Sequence, residues 1–425
     1  MVIPKTAKTL FSNTFFQLLT KFITMSVTIF TTVVITRFYG KAGYGDFNLM
    51  QNFPAIFFVI VDFGLNAIAT KEITRNPENS EKWFSNIFWF RTIFSTILIA
   101  VLWVVLNFMP YSGELRFGIQ IGLFIILTQA FFNSFSIIYQ SKLRYDLASI
   151  GSVVGTVAIL LLVLTFSYLK LPISIVNFSY IVGGFIALFI NLIVIQRLKV
   201  NLKFEIDYKF LKNIFLQSLP LGLMFVFSQI NFKADSILLS FLNIPSFLNL
   251  NHSEVVAVYG LPYKIFEVFL VLPTFYMNSL YPLLVLKSVE GPKPLYDFFI
   301  KNLLSLFGAG VVIGVLGFIF SGFIIDVLGG SDFGESVAVG QILLGCIVIF
   351  FVTQPLAWML ILLDKQILLP FIYLISAMFN VIANYILIPR FSFYGSAVIT
   401  VISELIILIF LIVSVRYAWR KKYEA

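Results

Sequence analysis

The stretch Arg197-Leu-Lys-Val-Asn-Leu-Lys-Phe-Glu-Ile-Asp-Tyr-Lys-Phe-Leu-Lys212 is a basic interruption in a chain that is apolar almost everywhere else. On its N-terminal side, apolar runs long enough to cross a bilayer fall near residues 10–36, 44–69, 84–109, 117–140, 146–169 and 173–196. Six more follow it, near 211–242, 256–286, 299–325, 337–363, 366–388 and 394–418. The pattern predicts an all-α integral membrane protein with about 12 transmembrane helices, six on each side of the interruption. It divides the chain into residues 1–200, a linker over 201–212, and residues 213–425.

Composition agrees with that division. The 425 residues are 60% hydrophobic and only 12% charged, against roughly 25% charged in a soluble domain, and the mean hydropathy is +0.98. About 12 helices of about 22 residues would use roughly 264 positions, close to the apolar content of the chain. Such a composition excludes an ordinary nucleotide-binding domain, a secreted disulfide scaffold and a nucleic-acid reader. With Cys346 and His252 alone of their kinds, no disulfide and no Cys/His metal cage can be built. Asn13, Gln17 and Lys21 interrupt the first apolar run and no small-residue cleavage site follows, so it reads as an uncleaved helix.

The net charge of +9 is mainly an orientation signal. With both termini placed in the cytoplasm, 20 of the 29 Lys and Arg residues fall inside, 5 outside and 4 within the spans. That bias matches the excess of basic residues expected in cytoplasmic loops. It makes 197–212 a cytoplasmic bridge between the halves, a role compatible with contact to anionic lipid. The halves also resemble one another: Tyr44-Gly45 and Tyr259-Gly260 each precede an aromatic-rich run with an internal proline, Pro54 or Pro273.

No phosphate-binding G-x-x-x-x-G-K-[ST] loop, D-x-D motif or nucleophile elbow is present, and no loop is long enough to house a catalytic site. Function must therefore lie between the helices, among charges that each cost at least about 2.5–3.5 kcal/mol at mid-bilayer unless they face a partner or a polar cavity. These are Lys21, Asp62, Arg91, Lys233, Asp235, Lys264, Glu267 and Glu404. Asn13, Gln17, Lys21, Thr24 and Thr28 share one helical face, which suits either a hydrated cavity or a lysine snorkelling to the interface. Gln129, Asn133, Ser136 and Gln140 form a second stripe, suited to helix packing or to cavity lining. Lys233 and Asp235, on a helix that also carries Asn231, are two apart, so each of the two needs a partner on another helix. Lys264 and Glu267 can pair with each other. Asp62 reads as a coupling carboxylate or a packing acceptor, and Arg91 as a snorkelling side chain.

Several of these stretches are similar to one family. The turn Gly40-Lys-Ala-Gly-Tyr-Gly-Asp-Phe47, the segments Val61-Asp-Phe-Gly-Leu65 and Ser218-Leu-Pro-Leu-Gly222, Lys233-Ala-Asp235, and Val258-Tyr-Gly-Leu-Pro-Tyr-Lys264 resemble polysaccharide repeat-unit flippases. These belong to the multidrug, oligosaccharidyl-lipid and polysaccharide exporter superfamily. The resemblance implies two six-helix bundles forming a V-shaped central cavity in the bacterial inner membrane. It also implies alternating access and a cargo of undecaprenyl-diphosphate-linked oligosaccharide for O-antigen or capsule export. Membrane lipids, and the polysaccharide polymerase and chain-length machinery, would be its partners, with no nucleic acid. A diphosphate needs fixed cations, and Lys21, Arg91, Lys233 and Lys264 are available. The cavity would be lined by Asn13, Gln17, Gln129, Asn133 and Asn231. No cofactor is implied, but coupling to a proton or sodium gradient is, with Asp62, Asp235 and Glu404 as the carboxylates. A multidrug or cation antiporter of the same fold is the alternative. A membrane polymerase is a more distant one, since such an enzyme is expected to need a large external loop or an intramembrane histidine.

Overall fold

The computed structural model describes the backbone of residues 3–423 and the side chains of residues 16–74 and 76–423. Among the described residues it contains thirteen α-helices and no strand. They are α1 Ile3–Asp62, α2 Leu65–Arg75, α3 Ser80–Leu106, α4 Gly113–Gly122, α5 Phe124–Ser141, α6 Tyr145–Tyr168 and α7 Ile173–Gln196. There follow α8 Tyr208–Leu239, α9 His252–Glu290, α10 Pro292–Gly329, α11 Ser336–Gly345, α12 Ile347–Leu362 and α13 Leu369–Tyr423.

At 1.5 Å per residue the 60-residue α1 would be roughly 90 Å long, three times the hydrocarbon thickness. Gly40, at φ 66° and ψ −167°, breaks it into two spans. Ser392, at φ 50° and ψ −134°, does the same for α13. The described residues hold ten helical stretches long and apolar enough to cross a membrane. Dividing the first and last of these at Gly40 and Ser392 makes twelve, the number the hydropathy pattern predicts.

Three of the predicted spans are interrupted where the sequence reading ran them through. The span predicted over 44–69 breaks at Phe63-Gly64, and the residues beyond form α2. The fourth span is split at Leu123 into α4 and α5, and the tenth at Cys346 into α11 and α12. In both halves of the chain a ten-residue helix thus precedes a longer one at the corresponding position.

The chain divides into two compact units, Met1–Val226 and Phe227–Ala425, with the division inside α8. In the first, α6 and α7 meet through glycines. A Cβ added at Gly155 would lie 2.8 Å from the Ala187 Cβ and 2.9 Å from the Gly183 carbonyl. Small residues allow this approach in lipid, where close van der Waals packing replaces the hydrophobic effect as the driving force between helices. Between α3 and α5, Phe88 stacks on Phe131 at 5.2 Å and Phe84 packs against Phe135 at 5.4 Å. Part of the phenylalanine content therefore fills helix contacts, while Phe22, Phe108 and Phe189 remain exposed. In the second unit, glycines 310 and 317 of α10 lie against Val348, Phe351 and Leu344.

Residues 201–207, ahead of α8, are pinned to the start of α3. Glu81 accepts from the backbone and side-chain amides of Asn201, Ser85 from the Lys203 amide and Asn86 from the Asp207 amide. Trp89 donates to the Lys203 carbonyl. The hydrogen bond to Glu81 holds the Lys203 ammonium above its ordinary range. The Phe210 amide, and then Lys82, hold the Asp207 carboxyl below its own.

Candidate functional site

Each unit contains its own buried polar cluster. In the first, the break at Phe63-Gly64 places two consecutive residues at positive φ, 39° and 71°, within an apolar span. Phe63 stacks on Phe215 at 4.7 Å, and a Cβ at Gly64 would meet Leu221 at 3.2 Å, so only glycine fits there without displacing α8. Arg91 of α3 spans the break. Its guanidinium donates to Asp62 Oδ1 at 2.7 Å before the break and to Asn66 Oδ1 at 2.8 Å after it, with a longer bond to Ser134 at 3.3 Å.

The stripe on α5 completes this cluster. Asn133 donates to Asp62 at 2.9 Å, Asn66 donates to Ser136 at 3.0 Å, and Thr70 donates to Gln140 at 3.4 Å. Residues 62, 66 and 70 thus meet 133, 136 and 140 turn by turn, as expected of polar side chains that hold helices together. The snorkelling reading of Arg91 is corrected: the side chain is fully buried, because the Asp62 carboxylate and two further acceptors give it a better environment than the interface would.

In the second unit, Lys233 and Asp235 of α8 point to different partners, as their spacing requires. Asp235 is fully buried and accepts from Tyr259 Oη at 2.5 Å, Thr400 Oγ1 at 2.7 Å and Asn384 Nδ2 at 2.7 Å. Asn384 also contacts Asn380 Oδ1 at 3.2 Å and accepts from Ser396 at 2.8 Å. One carboxylate is thereby surrounded by hydroxyl and amide groups from α9 and both segments of α13. An intramembrane carboxylate held in this way is a place where a proton can be carried. Among the described residues no group of three or more His, Cys, Asp or Glu side chains could hold a metal ion.

Lys233 pairs with Glu267 of α9, and the other oxygen of the same carboxylate lies 3.3 Å from Lys264. Two lysines share one glutamate, leaving the cluster with an excess of one positive charge. The Lys233 ammonium also lies 5.7 Å from the Tyr263 ring centroid. Glu404, one turn beyond Thr400, accepts a hydrogen bond from Thr353, and Asn231 donates to Ser376 at 3.1 Å.

Of the remaining predicted site residues, Gln17 and Gln129 make no described contact with either cluster. Lys21 and Gln129 are exposed and Gln17 is half-buried. The hydroxyls of Thr24, Thr28 and Thr32, on the Lys21 face, bond to carbonyls of their own helix. Asn13 lies outside the described side chains.

Asn66, Ser134, Tyr259, Asn384, Ser396 and Thr400 escaped the sequence reading. A signal was available for three of them. Ser376, Asn380 and Asn384 recur every four residues in one apolar span, and Ser396, Thr400 and Glu404 in the next.

A family model described as "Polysaccharide biosynthesis protein" matches residues 10–286, well over half of the chain. The chain belongs to this family. Solved structures show that this polysaccharide biosynthesis protein shares its fold with transporters of the MOP superfamily. An inward-facing multidrug resistance MATE family transporter aligns with a TM-score of 0.75 at 14% identity, covering 94% of this chain and 96% of its own. The lipid II flippase MurJ, in an inward closed conformation, aligns with a TM-score of 0.73 at 16% identity, covering 96% and 89%. A MOP superfamily transporter from Pyrococcus furiosus, described as having a binding pocket of reverse polarity, aligns with a TM-score of 0.67 at 14% identity, covering 96% of both chains. Comparison with curated proteins returns no match. The fold is the one seen in these solved transporters, and the ten long apolar helical stretches make the chain a multi-pass membrane protein.

Proposed function

We propose that this protein flips undecaprenyl-diphosphate-linked oligosaccharide repeat units from the cytoplasmic to the outer leaflet of the bacterial inner membrane, for O-antigen or capsule export. The observation that carries the reading is the Lys233–Glu267–Lys264 cluster, a cationic excess set among apolar helices in a member of a polysaccharide biosynthesis family. Charge-assisted bonds from lysine are strongest where water is scarce, and an anionic diphosphate is the part of such a cargo that they would hold. The sugars need no dedicated charge. Multidrug transporters and a lipid flippase share this fold, so the charge around the cargo is what separates the two readings.

Binding of cargo alone cannot drive it in one direction; a second ligand must favour one state of the protein. The Asp235 cluster is our candidate for binding the coupling proton or sodium ion, with Glu404 and Asp62 as the other carboxylates to test. Of the four proposed cations, Lys233 and Lys264 are the ones we assign to the diphosphate. Arg91 is committed to Asp62, and Lys21 is exposed on α1. Residues 201–212 form the cytoplasmic linker between two six-helix bundles in this proposal, with both termini in the cytoplasm. The polymerase and chain-length machinery would take the flipped product.

The test is complementation of a strain lacking its own flippase, with Lys233→Ala, Lys264→Ala and Lys21→Ala compared at matched membrane levels. Loss of surface polysaccharide with Lys233→Ala and Lys264→Ala is expected. Undiminished polysaccharide in both would overturn the assignment, and resistance to cationic drugs conferred by the wild-type chain would favour the antiporter reading.

A further inference from the structure

We infer that Glu267 is a built-in substitute for the cargo's phosphate, occupying both lysines until the diphosphate displaces it. The inference rests on the flippase reading above and assigns a role to a carboxylate that the reading leaves unused. Its basis is the way the charge is shared. One oxygen of Glu267 meets Lys233 and the other meets Lys264 at 3.3 Å, so a single anion bridges two ammonium groups on two helices. Two oxygens of a phosphate would make the same pair of contacts.

Exposure gives the exchange a direction. The side chain of Lys233 is 11% exposed, that of Glu267 27% and that of Lys264 37%. An incoming anion meets the more exposed Lys264 first. The deeper Lys233 stays neutralised until the carboxylate yields, so the buried ammonium is never left without an anion, which would be costly. Lys264 and Glu267 lie one turn apart on α9, while Lys233 lies on α8. Displacement of the carboxylate therefore replaces a direct link between α8 and α9 with one made through the cargo.

The consequence is a limit on affinity. Two uncompensated lysines would hold a diphosphate tightly and release it slowly. A competing carboxylate returns the site to a neutralised state as the cargo departs. A transport site has to bind strongly enough to load and weakly enough to unload, and an internal competitor sets that balance.

The experiment measures binding of undecaprenyl diphosphate to the full chain in lipid nanodiscs, alongside transport of a lipid-linked oligosaccharide in proteoliposomes. Glu267→Gln removes the competing charge but keeps the side-chain volume. It is expected to bind undecaprenyl diphosphate about tenfold more tightly, equivalent to about 1.4 kcal/mol, while transporting more slowly. Lys264→Gln is expected to weaken binding. If Glu267→Gln does not fold, Glu267→Asp, which withdraws the charge by one methylene, is expected to tighten binding by a smaller factor. Unchanged or weaker binding in the folded glutamate variant would overturn this inference alone, provided that Lys264→Gln still lowers affinity. Absence of saturable binding by the wild-type protein would overturn the flippase reading and this inference with it.

Discussion

Replacing Arg91 by Met keeps an unbranched, apolar side chain and removes the guanidinium that joins the two sides of the Phe63-Gly64 break. The bonds to Asp62 at 2.7 Å, Asn66 at 2.8 Å and Ser134 at 3.3 Å are lost together, and among the bonds described here Asp62 keeps the one from Asn133. Removing one partner of a buried ion pair costs about 3–5 kcal/mol. The Asp62 side chain is 19% exposed, so the orphaned carboxylate is not wholly enclosed by protein, and the lower end of that range, about 3 kcal/mol, applies. Asp62→Asn leaves the fully buried guanidinium an acceptor but no counter-charge, and should cost about 3–5 kcal/mol. The double variant buries no unpaired charge, so its loss should fall short of the sum of the two by about 1–2 kcal/mol. Reversible unfolding in mixed micelles measures the three values, and hydrogen exchange over residues 59–67 shows whether the break itself loosens. Strict additivity, or wild-type stability in Arg91→Met, would refute the view that this pair holds the broken span together.

Other residues make separable predictions. Gly64→Ala places a Cβ at φ 71°, 3.2 Å from Leu221, and should destabilise the protein by about 1–3 kcal/mol, read by the same unfolding assay. Gly155→Leu drives a side chain into Ala187 and the Gly183 carbonyl and should lower the yield of folded protein in the membrane, measured by size-exclusion chromatography with fluorescence detection. Asp235→Asn should cut gradient-driven transport by about tenfold or more, as expected for losing a coupling energy of 1–3 kcal/mol, while cargo binding stays intact. Transport that responds unchanged to both proton and sodium gradients in this variant would remove Asp235 from the coupling role.

Spans were legible because a bilayer demands about 20 apolar residues and tolerates few charges, and that demand acts on each stretch of sequence independently of its neighbours. Six runs on each side of 197–212 could therefore be counted without knowing any contact. The breaks inside spans could not. Phe63-Gly64 lies inside a predicted span, and its positive φ values are accompanied by contacts from Arg91, Phe215 and Leu221, which arrive from elsewhere in the chain. Spacing showed that Lys233 and Asp235 must part company, since residues two apart face different sides of a helix, but it left their partners unnamed.

What the sequence determined by itself is the class of molecule, the number of membrane crossings and the few charged side chains that lipid would not tolerate alone. Only the tertiary structure decided which of those charges are paired. It committed Arg91 to Asp62, divided Glu267 between Lys233 and Lys264, and gave Asp235 a set of neutral donors from three helical segments. The physical reason is that insertion into a membrane is a property of single helices, whereas the partner of a buried charge is chosen by helices distant in sequence.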